Sequence, residues 1–235
     1  MAKCGKRLRQ AAQEVKQSEY TLEDAVHLLK RLPTPKFDQS VELHLKLGID
    51  PKQSDQNVRG AVSLPAGLGR SRRVVAFCPD EMADAAKEAG AVEAGADDLV
   101  AKVQDGWMDF DVAVAHPQMM PKVAKLGRVL GPQGKMPTPK AGTVGPEIAQ
   151  LVSDFSAGKL EYRSDSGGNV HAVIGKMSFD EADLVQNARA FVEHLRRVKP
   201  SAARGQFFVK AVLSATMMPG IVLDLKTLPT TAAVA

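Results

Sequence analysis

The stretch KLGRVLGPQGKMPTPKAGTVG, Lys125 to Gly145, holds five glycines, three prolines, four basic residues and no acidic one. Glycines such as Gly131 and Gly134 free backbone N–H groups to approach an anion, and Arg128, Lys135 and Lys140 add charge. That combination suits phosphate. A nucleotide held by an enzyme is one owner for such a phosphate, and a nucleic-acid backbone is another. A P-loop needs glycine five positions before its Gly-Lys pair and Ser or Thr after the lysine. Around Gly134-Lys135 those positions hold Val129 and Met136, and GLGRSR at 67–72 lacks the last glycine of a dinucleotide fingerprint. The backbone of a nucleic acid therefore fits better, against the plainer reading of a basic loop crossing the surface.

Other catalytic patterns are missing. The five histidines form no HExxH and no Cys/His ligand spacing, and no serine sits in a GxSxG elbow. His27 on a helix and His44 and His171 on strands read first as solvated or packed side chains. Asp97 with Asp98, and Glu181 with Asp183, read as solvated helix faces. The expectation is a protein without catalysis, metal or cofactor.

A second candidate surface lies nearer the chain ends. In PKFDQSVELHLK, Lys36 and Phe37 precede a strand with a charged outer face, and Phe37 is either core or a stacking surface for a base. Lys210, Ser214 and Thr216 share one face of a late strand, where small hydroxyls can reach a ribose 2′-OH. Only 5% of residues are aromatic, too few for a single-strand stacking platform, so structured RNA read by backbone and shape is the better target.

The elements that must position these residues fall into two styles. A helix over Gly5–Lys16 is followed by one opening on the Thr21/Asp24 capping pattern and stopped by Pro33 and Pro35. Val41, Leu43, Leu45 and Leu47 then alternate with polar residues, as do Val58, Gly60, Val62 and Leu64, predicting two antiparallel strands joined by a polar loop. Beyond the break LPAGLGRSRR come VVAF, a helix, a short strand, a second helix, FDVAVAHP leading into a helix that ends near Lys125, the basic loop, and a helix closed by Gly158. Strands alternating with helices predict a mostly parallel α/β layer structure. From Lys159 the antiparallel style returns: two strands around a Ser-Gly-Gly-Asn turn, a helix opening on Ser178 and Glu181, and two last strands. The economical architecture is an α+β domain from residues 1–66 and 159–228, an α/β domain inserted at 67–158, and a tail at 229–235. Gly67 and Gly158 mark the hinge.

The totals agree with a soluble protein of this size. The 235 residues are 44% hydrophobic and 25% charged, and the net charge of +4 permits an anionic partner. Two cysteines, Cys4 and Cys78, form no disulfide framework. The start MAKCGKRLRQ lacks an apolar signal core, and no run is long enough to cross a bilayer, so a cytoplasmic protein without a membrane partner is expected.

The strings KFDQSVELHLKLGIDPKQSDQNVRGAVSLPAGLG, DGWMDFDV, KLGRVLGPQGKMPTPKAGTV and SATM resemble the L-one family of large-subunit ribosomal proteins in its bacterial form, as far as about Leu225. The resemblance implies two domains, an RNA-binding one built from both chain ends and an inserted Rossmann-like three-layer α/β one. It implies a monomer within the ribosome that binds 23S rRNA at the mobile stalk, assists release of deacylated exit-site tRNA, and represses its own operon mRNA. A free repressor aimed chiefly at messenger RNA is the runner-up, and a nucleotide-dependent enzyme using the α/β domain the alternative from another class. Carried over by matching strings, the RNA surface comprises Lys36, Phe37, Ser40, Glu42, Asp165, His171, Ser214, Thr216 and Met217. The glycine-rich loop, with Arg128, Gly131, Gly134, Lys135 and Lys140, supplies a secondary contact. Ser40 stands where threonine is common, and Met218 where the family usually has glycine. If that glycine needs a positive φ, the methionine is a cost.

Overall fold

The computed structural model describes residues 5–228; Cys4 and the tail expected over 229–235 lie outside the described residues. The chain divides into two compact units. One is Arg70–Glu161, and the other combines the segment ending at Gly69 with that resuming at Tyr162. Both divisions fall three residues beyond the expected 66/67 and 158/159.

In the end-built unit, α1 (Lys6–Glu14) and α2 (Leu22–Arg31) precede β1 (Ser40–Leu47). The Thr21 side chain caps α2 by accepting from Asp24 N, and Glu23 and Asp24 sit in the first turn, where acidic groups complement the helix dipole. β1 alternates strictly, burying Val41, Leu43, Leu45 and Leu47. After β2 (Arg59–Val62) the inserted unit intervenes: β3 (Val74–Phe77), α3 (Asp80–Glu88), β4 (Glu93–Gly95), α4 (Asp97–Gln104), β5 (Val112–Ala115), α5 (Met120–Val123), α6 (Gly127–Leu130) and α7 (Ile148–Ser156). Then come β6 (Leu160–Arg163), β7 (Asn169–Lys176), α8 (Glu181–Arg197), β8 (Phe208–Ala215) and β9 (Ile221–Leu223).

The main sheet has the order β7-β1-β8-β9, antiparallel throughout, with Ser40 opposite Lys176, His44 opposite His171, and Glu42 opposite Ser214. Its apolar side packs on α2 and α8, through Leu22, Ala25, Val26 and Leu29 from one and Leu184, Ala188, Phe191, Val192 and Leu195 from the other. The expected pairing of the first two strands is corrected: β1 lies between β7 and β8, while β2 pairs with β6 in a separate two-stranded sheet. Periodicity assigns a strand its faces, and cannot assign its neighbours. The Ser178 capping box is corrected as well. Asp180 is the N-cap of α8, because the Ser178 hydroxyl and N–H both donate to Asp38, at 3.0 and 3.1 Å.

One polar residue interrupts the buried face of α8. Asn187 is fully buried, accepts from Ala66 N at 3.0 Å, and donates to Gly67 O and Ile174 O at 3.0 and 2.8 Å. It fastens the segment leaving β2 to this unit, which is why the division falls after Gly69. Gly67 (φ 69) and Gly158 (φ 110) therefore sit inside their units, one held by Asn187 and the other ending α7.

The inserted unit has a parallel sheet in the order β4-β3-β5, with β3 and β5 buried at every position. Val75, Phe77, Ala113 and Ala115 pack with α4 and with Met119, Val123, Leu126 and Leu130. α3 and α7 pack on each other and on the strands. Leu126 and Leu130 of the basic loop are thus core residues, and the loop is anchored from beneath.

Candidate nucleic-acid interface

The outward side of β1 carries Ser40, Glu42, His44 and Lys46, all half-buried. Register places Val173, His171 and Lys176 beside them on β7, and Ser214 and Lys210 on β8. The strip runs about 20 Å along β1 at the usual rise of an extended strand. Of the residues anticipated for the RNA surface, the fold brings Ser40, Glu42, His171 and Ser214 onto this one face.

One end of the strip is a hydroxyl corner. Lys176 Nζ donates to Ser40 Oγ at 2.9 Å, and Thr216 donates to Ser40 O through both N–H, at 3.0 Å, and Oγ1, at 3.4 Å. Thr216 and Met217 are exposed, Met217 to 66%. Phe37 stands three residues before Ser40 and is 52% exposed. Pro33 and Pro35 hold the chain before it, and the Asp38–Ser178 bonds hold it after, so Phe37 is exposed on a fixed segment. Lys36, next to it, is also exposed.

The centre is a histidine pair. His44 and His171 meet Nδ1 to Nδ1 at 2.8 Å, a separation that requires one proton between two nitrogens. His44 Nε2 lies 2.9 Å from Ser214 Oγ and 3.8 Å from Glu42 Oε2, and His171 Nε2 lies 3.5 Å from Asp165 Oδ2. Asp165 itself spends its carboxylate on the turn into β7, accepting from Gly167 N, Asn169 N and Asn169 Nδ2 at 2.7–2.9 Å. Those bonds, Asn169's above all, hold its pKa down to about 2. Asp165 therefore shapes the far end of the strip. Lys46 donates to Gly167 O there. His44, Lys176 and Lys46 join the face without having been singled out for it; the alternation of β1 marked two of them as outward, and only the register reveals Lys176.

Burial, reinforced by His171, lowers the pKa of His44, and burial with Arg197 lowers that of His194, whose Nε2 lies 2.8 Å from Tyr162 Oη. A histidine whose folded pKa is depressed is protonated more readily in the unfolded chain. Its stabilising contribution is complete above the ordinary value of 6.5 and is lost as pH falls through that value toward the folded one. Asp165, ionised down to about 2, contributes nothing to this loss near neutrality. The melting temperature is expected to fall between about pH 7.5 and pH 5. A His44→Gln/His194→Gln double variant should flatten that slope in the same calorimetric series. A wild-type melting temperature that rises on acidification would refute the assignment.

In the inserted unit, Arg128, Gly131, Gly134 and Lys140 are exposed, as a phosphate contact requires. Lys135 is placed differently: its ammonium donates to Met108 O at 3.2 Å and lies 5.0 Å from the centre of the Phe110 ring. Its charge serves the packing of the loop on the core. Beside it, Arg73 pairs with Asp109 and Asp111, and Arg70 approaches Asp111 at 4.0 Å.

Hydroxyls and ammonium groups thus line an open sheet face, with the exposed Phe37 ring on the segment that leads into it. The sequence profile of the ribosomal protein L1p/L10e family matches residues 28–219. The large ribosomal subunit protein uL1 of Kosmotoga olearia is 48% identical over 225 residues, spanning 95% of this chain and 97% of that protein. The chain belongs to the ribosomal protein L1p/L10e family, and it is a structural protein, with no enzymatic role.

Proposed function

We propose that this protein is a component of the large ribosomal subunit that binds 23S rRNA at the mobile stalk through the outward face of β7-β1-β8. The observation that carries the proposal is the corner where Ser40, Lys176 and Thr216 interlock, with exposed Met217 next to Thr216 and exposed Phe37 three residues before Ser40. Hydroxyls and a lysine suit ribose and phosphate, and the two apolar side chains suit bases splayed from a helix. The name of the Kosmotoga relative supports the subunit assignment. From its place on the stalk the protein would assist release of deacylated tRNA from the exit site, working as a monomer in the cytoplasm. Among the described residues no helix is long and apolar enough to cross a membrane.

The same face would bind the protein's own operon mRNA, because a sheet that reads hydroxyls, phosphates and unstacked bases accepts any RNA presenting them in the same shape. Arg128, Gly131, Gly134 and Lys140 would add a secondary contact from the inserted unit, with Lys135 supporting the loop. Hinge motion would be absorbed at the two crossings after Gly69 and Glu161.

The test is a salt-titrated binding curve with the stalk fragment of 23S rRNA beside a scrambled helix of equal length. Binding that favours the stalk and persists at raised salt is the expected outcome. Equal, salt-labile binding to both would reduce the face to an electrostatic patch.

A further inference from the structure

The turn that presents Thr216 and Met217 carries backbone strain. Met218 N donates to Ala215 O at 2.9 Å, closing a four-residue turn, and Met217 in its third position has φ 66. Among the described residues it is the one non-glycine with positive φ. That position in a turn favours glycine or asparagine, and a larger residue persists there only where its surroundings fix it. The concern attached to Met218 is thereby relocated: the left-handed residue is Met217, one position earlier.

What fixes the turn comes from the other end of the chain. Arg7, on α1, donates from Nη2 to Met217 O at 3.2 Å. Its Nη1 reaches Pro33 O at 3.4 Å and Met218 Sδ at 3.8 Å. One planar guanidinium thus joins the β8–β9 turn to the end of α2, from which the chain runs through Pro35 to Phe37. α1 has little else to justify its basic start. Lys6, Arg7 and Arg9 lie in or near its first turn, where positive charge opposes the helix dipole, and Ala11 is its one buried residue. Lys6 and Arg9 are exposed, whereas Arg7 is half-buried.

We propose that Arg7 is a positioning residue for the RNA face: it sets the spacing between the segment leading to Phe37 and the Thr216–Met217 turn by bonding to Pro33 O and Met217 O. The role rests on the RNA-binding function proposed above. A lysine keeps the charge but cannot span two acceptors with a rigid fork. Arg7→Lys and Arg7→Gln should therefore behave alike, each weakening stalk RNA binding about tenfold with an unchanged salt slope. Both should also speed hydrogen exchange at Met218 N–H in the free protein by about tenfold, a change that needs no RNA. Wild-type affinity in Arg7→Lys together with a salt slope reduced by about one unit in Arg7→Gln would make Arg7 a direct phosphate contact and overturn the proposal. Unchanged Met218 exchange in both variants would overturn it whatever the RNA does. Faster exchange in variants that bind as wild type, while Thr216→Val weakens binding, would remove the positioning role and leave the RNA face standing. If wild-type protein shows no preference for the stalk fragment, the proposed function itself falls, and the exchange result reports on the turn alone.

Discussion

Replacing Asn187 by leucine should lower the stability of the end-built unit by about 3–4 kcal/mol, although the two side chains share one branched skeleton. Leucine opens no cavity, so the loss combines the three hydrogen bonds with the crowding of two methyl groups where bonded contacts are 2.8–3.0 Å. Three backbone groups would lose their partner: Ala66 N, Gly67 O and Ile174 O. Asn187 is fully buried, and no water replaces those bonds cheaply when the surrounding face is Leu184, Ala188 and Phe191. The expected loss is smaller than three full desolvation penalties, since Ala66 and Gly67 are half-exposed and can recover part of their hydration. The two units supply separate reporters. Tyr20 and Tyr162 belong to the end-built unit, and the single tryptophan, Trp107, to the other. In a urea titration the tyrosine signal should shift to lower denaturant while Trp107 fluorescence keeps its midpoint. A loss below about 1 kcal/mol would mean that the Ala66–Gly67 segment is not held by Asn187.

Asn187 also marks where the sequence stops being legible. An asparagine between Leu184 and Ala188 on an amphipathic helix resembles any residue at the edge of a polar face. Its partners lie more than a hundred positions away in two of its three bonds. The helices other than α6, the buried strands VVAF and FDVAVAHP and the alternating β1 were readable because each depends on a local period that neighbouring residues repeat; α6 lies inside the stretch read as a loop. Strand partners were not. β1 and β2 are consecutive and both half-polar, so a hairpin was the simplest reading, yet β1 is completed by β7 and β8 from the far end of the chain. The same limit applies to the candidate site. Ser40, Glu42, Ser214 and Thr216 could be proposed from strand alternation and resemblance. Lys176 and Arg7 could not, because what places them beside Ser40 and Met217 is register and tertiary packing. Lys135 shows the same limit: composition offers it as a phosphate ligand, and only the fold reveals that its ammonium also meets Met108 O and the Phe110 ring.

Phe37→Ala should leave folding almost untouched and weaken binding of stalk RNA by roughly 1–3 kcal/mol, about 5- to 150-fold. The asymmetry follows from where the phenylalanines lie. Of the eight in the chain, six are buried and Phe179 is half-buried, and Phe37 is the exposed one. Exposed side chains seldom carry more than about 0.5 kcal/mol of stability, so the melting temperature should hold within a degree or two. An exposed ring on a segment stiffened by two prolines and by the Asp38–Ser178 bonds pays little entropy to stack on a base. Stacking is insensitive to salt, whereas the contribution of a lysine is not. Phe37→Ala should therefore shift the whole binding curve in parallel, while Lys36→Ala or Lys210→Ala should tilt it by about one unit of salt slope. Phe37→Trp, which keeps a stacking face, should restore most of the affinity. A folded Phe37→Ala protein that binds stalk RNA as tightly as wild type would remove the ring from the interface, and with it the apolar half of the corner built around Ser40 and Thr216.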